Sequence, residues 1–516
     1  MTADVLTPSS LDDVTQTLTV VRTRPKLGWL LVFPPALLAF AVTAAGAADR
    51  QLWADEYATF HAASLDFTAL GHLIDQVDFV LAPYYVFMHG WIALFGDSEA
   101  ALRAPSIAAM VVTSALLVLL GRRLVTTSAG VVAGCLFALL PSVSRYAHEA
   151  RPYALAIMLA VLATLLLLRA LESPTWPRWF LYGLVTILAA AFHIVAATIL
   201  AAHFVMIWQS ARATESLRPW RWLGPAIGVV CVIGPFGLTA AGQAGVIMWI
   251  KADQDAVLSL PQRLAGSVIA AAVIALFAAA GVSQLLHGTD RRALVLLLMW
   301  GAFPPLFTLA TFEWLHLFLY RYLLFTLPAW VLLAGAGLDG IGRALVNRRK
   351  VLASAVLAAV VLAGFFWLVL PGQAIVRHDP VDGQPDFRAV AREITLHRQP
   401  GDGIAYGGTH DRGRRSMEYE LRSAPLRDVF VEATGAQLGG FVARECAIPT
   451  RCLGDVQRIW VVNWAGGKDA FTGMPPLTVA LLRERFAPGE TKEFDGVRLL
   501  LLVRKDPSAP AGQQVR

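Results

Sequence analysis

Two adjacent carboxylates, Asp55 and Glu56, are the residues of this sequence best suited to chemistry, and they lie in the stretch Trp53 to Tyr57. They follow the first long apolar segment directly. Carboxylates are costly to hold at the edge of a low-dielectric membrane unless they bind or transfer something. One of the two can act as a general base toward an acceptor hydroxyl. A solvated loop turn is the alternative interpretation, so the rest of the chain must decide.

Further ionisable side chains occur in later loops, next to apolar segments. Carboxylates that face cations at the edge of a bilayer suit the transfer of a group from a lipid-linked phosphate to a hydroxyl acceptor. Four of these side chains are candidate cations that would stabilise the negative charge of the departing phosphate: His148, Arg151, Lys251 and Arg321. A divalent cation, Mg²⁺ or Mn²⁺, is also plausible as a bridge between a carboxylate and that phosphate. Arg321 has a second interpretation, because an arginine at a helix end often only extends its head group to the membrane surface.

The composition indicates a polytopic membrane protein. The chain has 516 residues, of which 56% are hydrophobic, and a mean hydropathy of +0.58. From Gly372 onward there are 20 basic and 18 acidic residues, whereas the 371 residues before carry only 42 charges. This shift predicts a transmembrane domain at 27–371 and a soluble domain at 372–516. The polar stretch at 1–26 predicts a cytoplasmic tail. The net charge of +6 needs no nucleic-acid partner, because cytoplasmic loops accumulate Arg and Lys.

Apolar runs of roughly 20 residues qualify as membrane-spanning helices. The sequence holds eleven candidates, at 28–48, 101–120, 125–143, 152–170, 179–193, 194–210, 223–241, 264–286, 293–310, 322–340 and 351–370.

A further apolar run at 80–95 decides the direction of every later span. If this run spans the membrane, nearly all clusters of Arg and Lys fall outside; if it lies on the outer surface, they fall on the cytoplasmic side. Its Pro, Tyr, His and Trp content is also typical of an interfacial helix. We therefore predict an amphipathic helix at 80–95 within a first outer loop at 48–100. The N-terminus is then inside and the C-terminal domain outside.

The C-terminal domain alternates a helical pattern, at Phe387 to His397, with strand patterns at Gly403 to Tyr406, Arg458 to Asn463 and Val497 to Val503. This alternation predicts an α/β or α+β fold. Cys446 and Cys452 lie close together in this domain. A disulfide in an oxidising compartment is the favoured interpretation, with two free thiols as the alternative. Trp460 and Trp464 could stack on a sugar, although core packing is the favoured role for both.

Several motifs, in this order, resemble those of the GT-C glycosyltransferases, and within them the branch of protein O-mannosyltransferases and lipid A aminoarabinose transferases. The resemblance covers positions from about 50 to 405 in pieces. It rests on Trp53-Ala54-Asp55-Glu56, Pro83-Tyr84-Tyr85, Leu94 to Glu99, Leu102 to Ser106, His148 to Tyr153, Arg321-Tyr322 with Pro328, Asp386 to Ala391, and Pro400 to Asp402.

The resemblance implies a polyprenyl-phosphate sugar donor, an inverting single displacement, and a cavity between the outer loops and the membrane. It assigns Asp55 as the catalytic carboxylate and Glu56 as its companion. It places Glu149 at the acceptor or at a metal shared with Asp55, and Arg321 at the donor phosphate. Tyr84 and Tyr322 lie in matched motifs and are further substrate-binding candidates. The chain departs from many relatives at Val80 to Pro83, where those have a His-Pro-Pro-Leu type run.

The predicted function is transfer of one sugar, with mannose or arabinose favoured, to a protein, lipoglycan or cell-wall glycan outside a bacterial cytoplasmic membrane. The sugar preference rests on an Arg- and Ala-rich composition that suggests a GC-rich bacterium. The chief alternative is a transporter or lipid flippase, since charged residues at membrane depth would also serve one. A non-catalytic assembly protein of the cell envelope is a third possibility.

Overall fold

The computed structural model describes residues 29–213, 220–288, 291–345, 351–379, 383–408, 412–464 and 469–505. The predicted cytoplasmic tail at 1–26 lies outside the described residues. The described chain forms an α-helical membrane domain followed by a C-terminal α/β domain, so the predicted fold class is confirmed.

The membrane domain is built from eighteen described helices. They are α1 (Phe33–Ala44), α2 (Ala54–Ser64), α3 (Phe67–Gln76), α4 (Ala82–Phe95), α5 (Glu99–Leu124), α6 (Thr127–Leu139), α7 (Pro141–Ala147), α8 (Tyr153–Glu172), α9 (Trp176–Phe192), α10 (Ile199–Ala213), α11 (Trp220–Ala241), α12 (Gln254–Leu258), α13 (Leu260–Ala265), α14 (Val268–Leu286), α15 (Arg292–Ala310), α16 (Phe312–Leu315), α17 (Leu327–Leu345) and α18 (Val351–Val376). Short 3₁₀ turns occur at Leu30–Val32, Phe79–Leu81, Ile194–Thr198, Ala244–Ile247 and Tyr320–Thr326.

Within the described residues, eight helices are long and apolar enough to cross a membrane, or nine if α6 and α7 form one bent span. The bend of 64° falls at Leu140, because Pro141 disfavours helical geometry in the residue before it. Two of the eleven predicted spans correspond to shorter apolar helices, Leu30–Ala44 and Trp176–Phe192. The number eleven therefore stays a prediction, while the multi-pass character is clear.

Two further predictions can be compared with the structure. The run predicted at 80–95 forms α4, whose Tyr84, Tyr85 and Met88 are buried while Val86 and Leu94 are exposed. Its placement on the outer leaflet stays a prediction. The domain boundary expected at Pro371 falls later, because α18 continues through this proline to Val376; membrane helices tolerate proline where neighbouring groups satisfy the freed carbonyl.

Close helix packing fixes the bundle where α14 crosses α17. A Cβ added at Gly281 would lie 1.9 Å from the Leu333 carbonyl oxygen, and one added at Gly337 would lie 2.0 Å from that of Phe277. No side chain fits at either position. The two backbones therefore approach as closely as small residues allow, which is a common way to join helices in lipid.

The C-terminal domain contains four helices and seven strands among its described residues. They are α19 (Phe387–His397), β1 (Gly403–Gly407), α20 (Arg412–Glu420), β2 (Arg427–Asp428), β3 (Val431–Ala433), β4 (Arg444–Glu445), α21 (Pro449–Leu453), β5 (Arg458–Asn463), α22 (Pro476–Arg485), β6 (Phe486–Phe494) and β7 (Val497–Arg504). Five strands form one sheet in the order β2-β1-β5-β7-β6; β1 is parallel to β2 and β5, and β7 is antiparallel to both its neighbours.

Alternate residues of this sheet face two separate cores, as the pleat of a strand requires. On β5, Ile459 and Val461 pack with α22. Trp460 and Val462 pack on the other face, in a core that also includes residues of α2 and α4. The C-terminal domain therefore shares a core with the first loop of the membrane domain. Trp460 is buried and donates its indole N–H to Asp402 Oδ2 at 2.8 Å, so it is a core residue.

A disulfide joins Cys446, directly after β4, to Cys452 of α21. The other two cysteines are free thiols; Cys135 is buried and Cys231 is exposed. The exposed thiol must therefore be removed before cysteine labelling can report on membrane sidedness.

The basic ends of the spans lie at one end of the bundle. Arg122, Arg169 and Arg343 occupy the last turns of α5, α8 and α17. The loops that hold Asp55 and Glu149 lie at the other end of these helices. The structure thus places the arginines on which the positive-inside argument depends at the same end of the bundle. Which end faces the cytoplasm stays a prediction.

In a Cys231→Ser background, we expect Asp97→Cys to react with a membrane-impermeant maleimide from outside intact cells. The side chain of Asp97 is 44% exposed and lies between α4 and α5. Ser173→Cys, on the exposed connection between α8 and α9, is the matched control and should react only after the membrane is opened. The reverse pattern would mean that the predicted orientation is wrong.

Candidate active site

Arg103 of α5 is fully buried, and all five of its N–H groups are used. Nε and Nη2 donate to the two carboxylate oxygens of Glu56, at 2.9 and 2.8 Å. The remaining donors bind the backbone carbonyls of Ala47, Arg50 and Gln51 at 2.8 to 3.0 Å. Because a guanidinium has five donors, nothing is left unsatisfied. This one side chain therefore shapes the loop that leads into α2.

Glu56 completes the same cluster from α2. Besides Arg103, its carboxylate accepts the backbone N–H of Ala150 at 2.9 Å and that of Trp53 at 3.3 Å. Burial alone would raise the pKa of Glu56, but the charge and hydrogen bonds of Arg103, with help from Arg50 and the Ala150 N–H, outweigh it and lower that pKa. Neither oxygen is left to meet a substrate. This placement assigns Glu56 a positioning role in place of the catalytic role predicted from the sequence.

Asp55, the next residue back along α2, faces the other way. Its side chain is 27% exposed, and its Oδ2 lies 3.5 Å from Nη1 of Arg321. It stands in the first turn of the helix, where the helix dipole favours a negative charge. The structure therefore presents this carboxylate at an accessible surface with a cation beside it, and its catalytic role stays a prediction.

Two tryptophans hold the cations around Asp55. The guanidinium of Arg321 lies 5.7 Å from the ring centre of Trp53 and 5.5 Å from that of Trp249. Arg145 lies 5.3 Å from the Trp53 ring. Cation–π contacts of this kind fix a guanidinium without consuming its hydrogen-bond donors. Arg321 can therefore keep donors free for an anion.

Glu149 lies in the second loop and is fully buried. Its Oε2 is 3.3 Å from Nη1 of Arg145. Burial raises the pKa of Glu149 above its usual range; the attraction of Arg145 opposes this, while the carboxylates of Glu56 and Asp55 add to it. Glu149 is thus an acid whose charge is only partly balanced, next to the predicted catalytic carboxylate.

Several buried polar atoms around Asp55 have no hydrogen-bond partner within the described part of the chain. They are Trp53 Nε1, the Tyr84 hydroxyl, both carboxylate oxygens of Glu149, Arg151 Nε and Arg321 Nε. Unsatisfied polar atoms are rare in folded proteins because each costs free energy. Their clustering here indicates a site for a ligand with several polar groups.

The structure brings most of the remaining candidates to this cluster. Arg151 approaches Thr59 of α2 at 3.4 Å, and its charge acts on Asp78 and on His193. Tyr322 follows Arg321 directly, and its ring lies 5.1 Å from that of His193. Lys251 is exposed two residues after Trp249, and no hydrogen bond or ion pair joins it to the cluster among the described residues.

His148 is not placed as a cation for a phosphate. Its Nε2 lies 2.6 Å from the Thr43 carbonyl oxygen at the end of α1, and its own carbonyl accepts from Arg50 at 2.7 Å. Burial, together with the nearby arginines, lowers the pKa of His148 to about 4. The ring is therefore neutral near pH 7 and joins two segments of the fold.

The sequence did not single out Arg103, Arg145 or Asp78 for a role. Asp78 has a left-handed backbone conformation, with φ of 59°, and its Oδ2 accepts the Tyr85 hydroxyl at 2.9 Å. A non-glycine residue in this conformation is uncommon and often marks a functional site. Backbone conformation cannot be read from residue type alone, and several other acids share the same loop.

The site offers few of the oxygen ligands that a divalent cation requires. No group of three or more His, Cys, Asp or Glu side chains that could hold a metal occurs within the described ranges. Asp55 and Glu149 supply carboxylate oxygens, which suit Mg²⁺ or Mn²⁺. An ion held by these two would need further oxygens from the substrate.

Part of the chain matches a known protein family. Residues 82–236 match the model of the family described as dolichyl-phosphate-mannose-protein mannosyltransferase. This match includes Glu149 and Arg151 but not Asp55 or Arg321. A comparison with curated protein sequences found no match.

Among solved structures, the fold is similar to that of ArnT from Cupriavidus metallidurans bound to undecaprenyl phosphate, with 15% sequence identity and a TM-score of 0.56. The similarity covers 92% of this chain and 98% of that one. It is also similar to arabinofuranosyltransferase AftD from Mycobacteria, with 15% identity, a TM-score of 0.50 and coverage of 94% of this chain but 40% of that one. The GT-C resemblance seen in the sequence is thus confirmed at the level of the fold.

We expect Glu56→Gln to destabilise the protein by about 3–5 kcal/mol, because it leaves the buried Arg103 without a counter-charge. Asp55→Asn is the matched control at the neighbouring position. It loses only a partly exposed ion pair, so its effect should stay within about 1 kcal/mol. Thermal unfolding of the purified variants in detergent measures both; equal midpoints would contradict the positioning role of Glu56.

Proposed function

We propose that the protein is an integral membrane glycosyltransferase that transfers one sugar from a polyprenyl phosphate to an acceptor hydroxyl. The observation that carries this proposal is the accessible pair of Asp55 and Arg321, 3.5 Å apart, at one end of a GT-C-like helix bundle. A base next to a cation, surrounded by unsatisfied polar atoms, fits a reaction that takes up a proton and releases a phosphate.

Asp55 is the general base of the proposed reaction. The acceptor oxygen attacks the anomeric carbon of the donor sugar, the bond from that carbon to the phosphate oxygen breaks, and the hydroxyl proton passes to Asp55. The product is a glycosylated acceptor, and polyprenyl phosphate leaves. One displacement of this kind inverts the anomeric centre. Glu56 takes no part in the proton transfer and holds α2 in position.

Arg321 binds the donor phosphate in this proposal, with Arg151 near it. Its seat between Trp53 and Trp249 leaves guanidinium donors available for phosphate oxygens. When the phosphate binds, it replaces Asp55 as the partner of Arg321. The carboxylate is then free to accept a proton, so donor binding activates the base. Tyr84 and Tyr322 supply further polar groups at the same site.

The sugar and the acceptor are the finer part of the proposal. Mannose is supported by the description of the matching family, and arabinose by the similar fold of an arabinofuranosyltransferase. The lipid phosphate is supported by the ArnT structure, which contains undecaprenyl phosphate. We propose a protein, lipoglycan or cell-wall glycan as acceptor, on the outer face of a bacterial cytoplasmic membrane.

Asp55→Asn should lower sugar transfer by about a hundredfold to ten-thousandfold, since it keeps the shape of the side chain and removes the base. Transfer is measured in membranes supplied with radiolabelled polyprenyl-phosphate mannose or arabinose and a membrane glycan extract as acceptor. Transfer near the wild-type level in this variant would contradict the role of Asp55 as the general base. Movement of the lipid across the membrane without sugar transfer would favour the flippase alternative.

The same assay decides between the two ways of balancing the phosphate charge. If Arg321 suffices, transfer persists in EDTA. If a divalent cation is held by Asp55 and Glu149, we expect transfer to be lost in EDTA and restored by Mg²⁺ or Mn²⁺.

Arg321→Gln should lower kcat/KM for the lipid donor by at least about tenfold, because a hydrogen bond to a charged group contributes about 1.5–3 kcal/mol. Arg343→Gln is the matched control. Arg343 pairs with Asp339 at 3.0 Å at the opposite end of α17, and its loss should leave the kinetics unchanged. Equal kinetics for the two variants would exclude Arg321 as the phosphate ligand.

A further inference from the structure

A cavity of about 310 Å³ lies between the two domains, apart from the Asp55 site. Its wall includes His61 and Leu65 from the end of α2, Met417 and Glu418 from α20, and Phe441 from the loop between β3 and β4. Asp55 and His61 are six residues apart on the same helix, which is about 9 Å along its axis. The two side chains point about 120° apart around the helix, so a molecule that occupies both places must be a chain long enough to pass round α2.

His61 presents an unsatisfied nitrogen in the wall of this cavity. The residue is only 8% exposed, and its Nδ1 lies 2.8 Å from Oε2 of Glu418. Because a carboxylate only accepts hydrogen bonds, Nδ1 carries the proton. Nε2 is buried without a partner among the described residues. A ligand hydroxyl would satisfy it.

The charges of the described lining balance. The lining includes two arginines, Arg414 and Arg415, and two acids, Glu418 and Asp428. Nε of Arg414 is already paired with Oδ2 of Asp428 at 2.6 Å. An anionic ligand would thus gain little from this site. A neutral ligand with hydroxyl groups fits it better.

The rest of the wall is apolar and partly aromatic. The rings of Tyr406 and Phe441 line it together with Leu65, Met417 and Leu421. The C–H face of a sugar ring can pack on such a surface while its hydroxyls reach the polar groups. The volume lies at the lower end of ligand sites, which span ~300–1,000 Å³, and suits roughly one or two sugar rings.

We propose that this interdomain cavity binds a neutral sugar unit of the acceptor glycan, with a sugar hydroxyl hydrogen-bonded to Nε2 of His61. The proposal rests on the proposed function and names the acceptor as a neutral glycan. The glycan is held by an inner unit in this cavity while its terminal hydroxyl reaches Asp55.

The test is binding to the full-length protein in nanodiscs, followed by saturation-transfer NMR titration. The probes are neutral trisaccharides of mannose and of arabinose, and an acidic trisaccharide that contains a uronic acid. We expect the wild type to bind one of the neutral probes. His61→Asn keeps an amide near the Nδ1 position for Glu418 but removes Nε2, so binding should weaken about tenfold. His61→Gln keeps a polar group near the Nε2 position and should bind more tightly than His61→Asn.

A second pair of variants tests the cavity without touching His61. Ala436→Leu adds volume to the wall and should abolish binding. Ala433→Leu, three residues away on β3 and outside the lining, should bind like the wild type. Absence of neutral-probe binding by the wild type, unchanged binding in both His61→Asn and Ala436→Leu, or preference for the acidic probe would each overturn the proposal.

The Asp55→Asn variant separates this proposal from the proposed function. It should bind the neutral trisaccharide as the wild type does while it transfers no sugar. Binding by a wild-type protein that transfers nothing from any lipid donor would contradict the glycosyltransferase function and leave a sugar-binding site. Transfer without trisaccharide binding would contradict only the cavity assignment.

Discussion

The buried ion pair of Arg103 and Glu56 is the interaction on which the site depends. A charge pair removed from water costs free energy unless every donor and acceptor is satisfied. Here Arg103 uses all five donors, and Glu56 also accepts from the backbone of Ala150. The pair thereby joins α5, the loop before α2 and the second loop. Displacement of any one of these would leave a charge unpaired in the core, so the arrangement is held as a unit.

The helix α2 is also held from the opposite side. The Tyr57 hydroxyl donates to Glu420 at 2.8 Å, and His61 pairs with Glu418. Both partners lie on α20 of the C-terminal domain. Arg388 of α19, in the same domain, pairs with Glu99 of α5 at 2.7 Å. The membrane domain and the C-terminal domain therefore position Asp55 jointly. This agrees with the continuous core that the two domains share.

Much of this architecture could be predicted because it depends on long apolar runs and strand patterns. The helix at Phe387–His397 and the strand at Arg458–Asn463 have the predicted bounds. The roles of polar residues were harder to predict. Asp55 and Glu56 are chemically alike. His148 and Arg151 are both basic residues of one motif, three positions apart. Their different roles depend on contacts with residues distant in sequence, such as Thr43 and Arg103, which no local sequence pattern reveals.

The different environments of the two adjacent carboxylates follow from helix geometry. Consecutive residues of a helix point about 100° apart, so a pair at the first turn of α2 cannot face the same environment. The side chain of Glu56 points into the bundle and contacts Arg103. The side chain of Asp55 points to the open side, where Arg321 lies. The buried carboxylate fixes the rotation of the helix about its axis. The direction of its neighbour is thereby fixed as well. An Asp suits the open position because its short side chain has few rotatable bonds. The rotation of the helix that the buried pair fixes therefore also fixes the position of the Asp55 carboxylate.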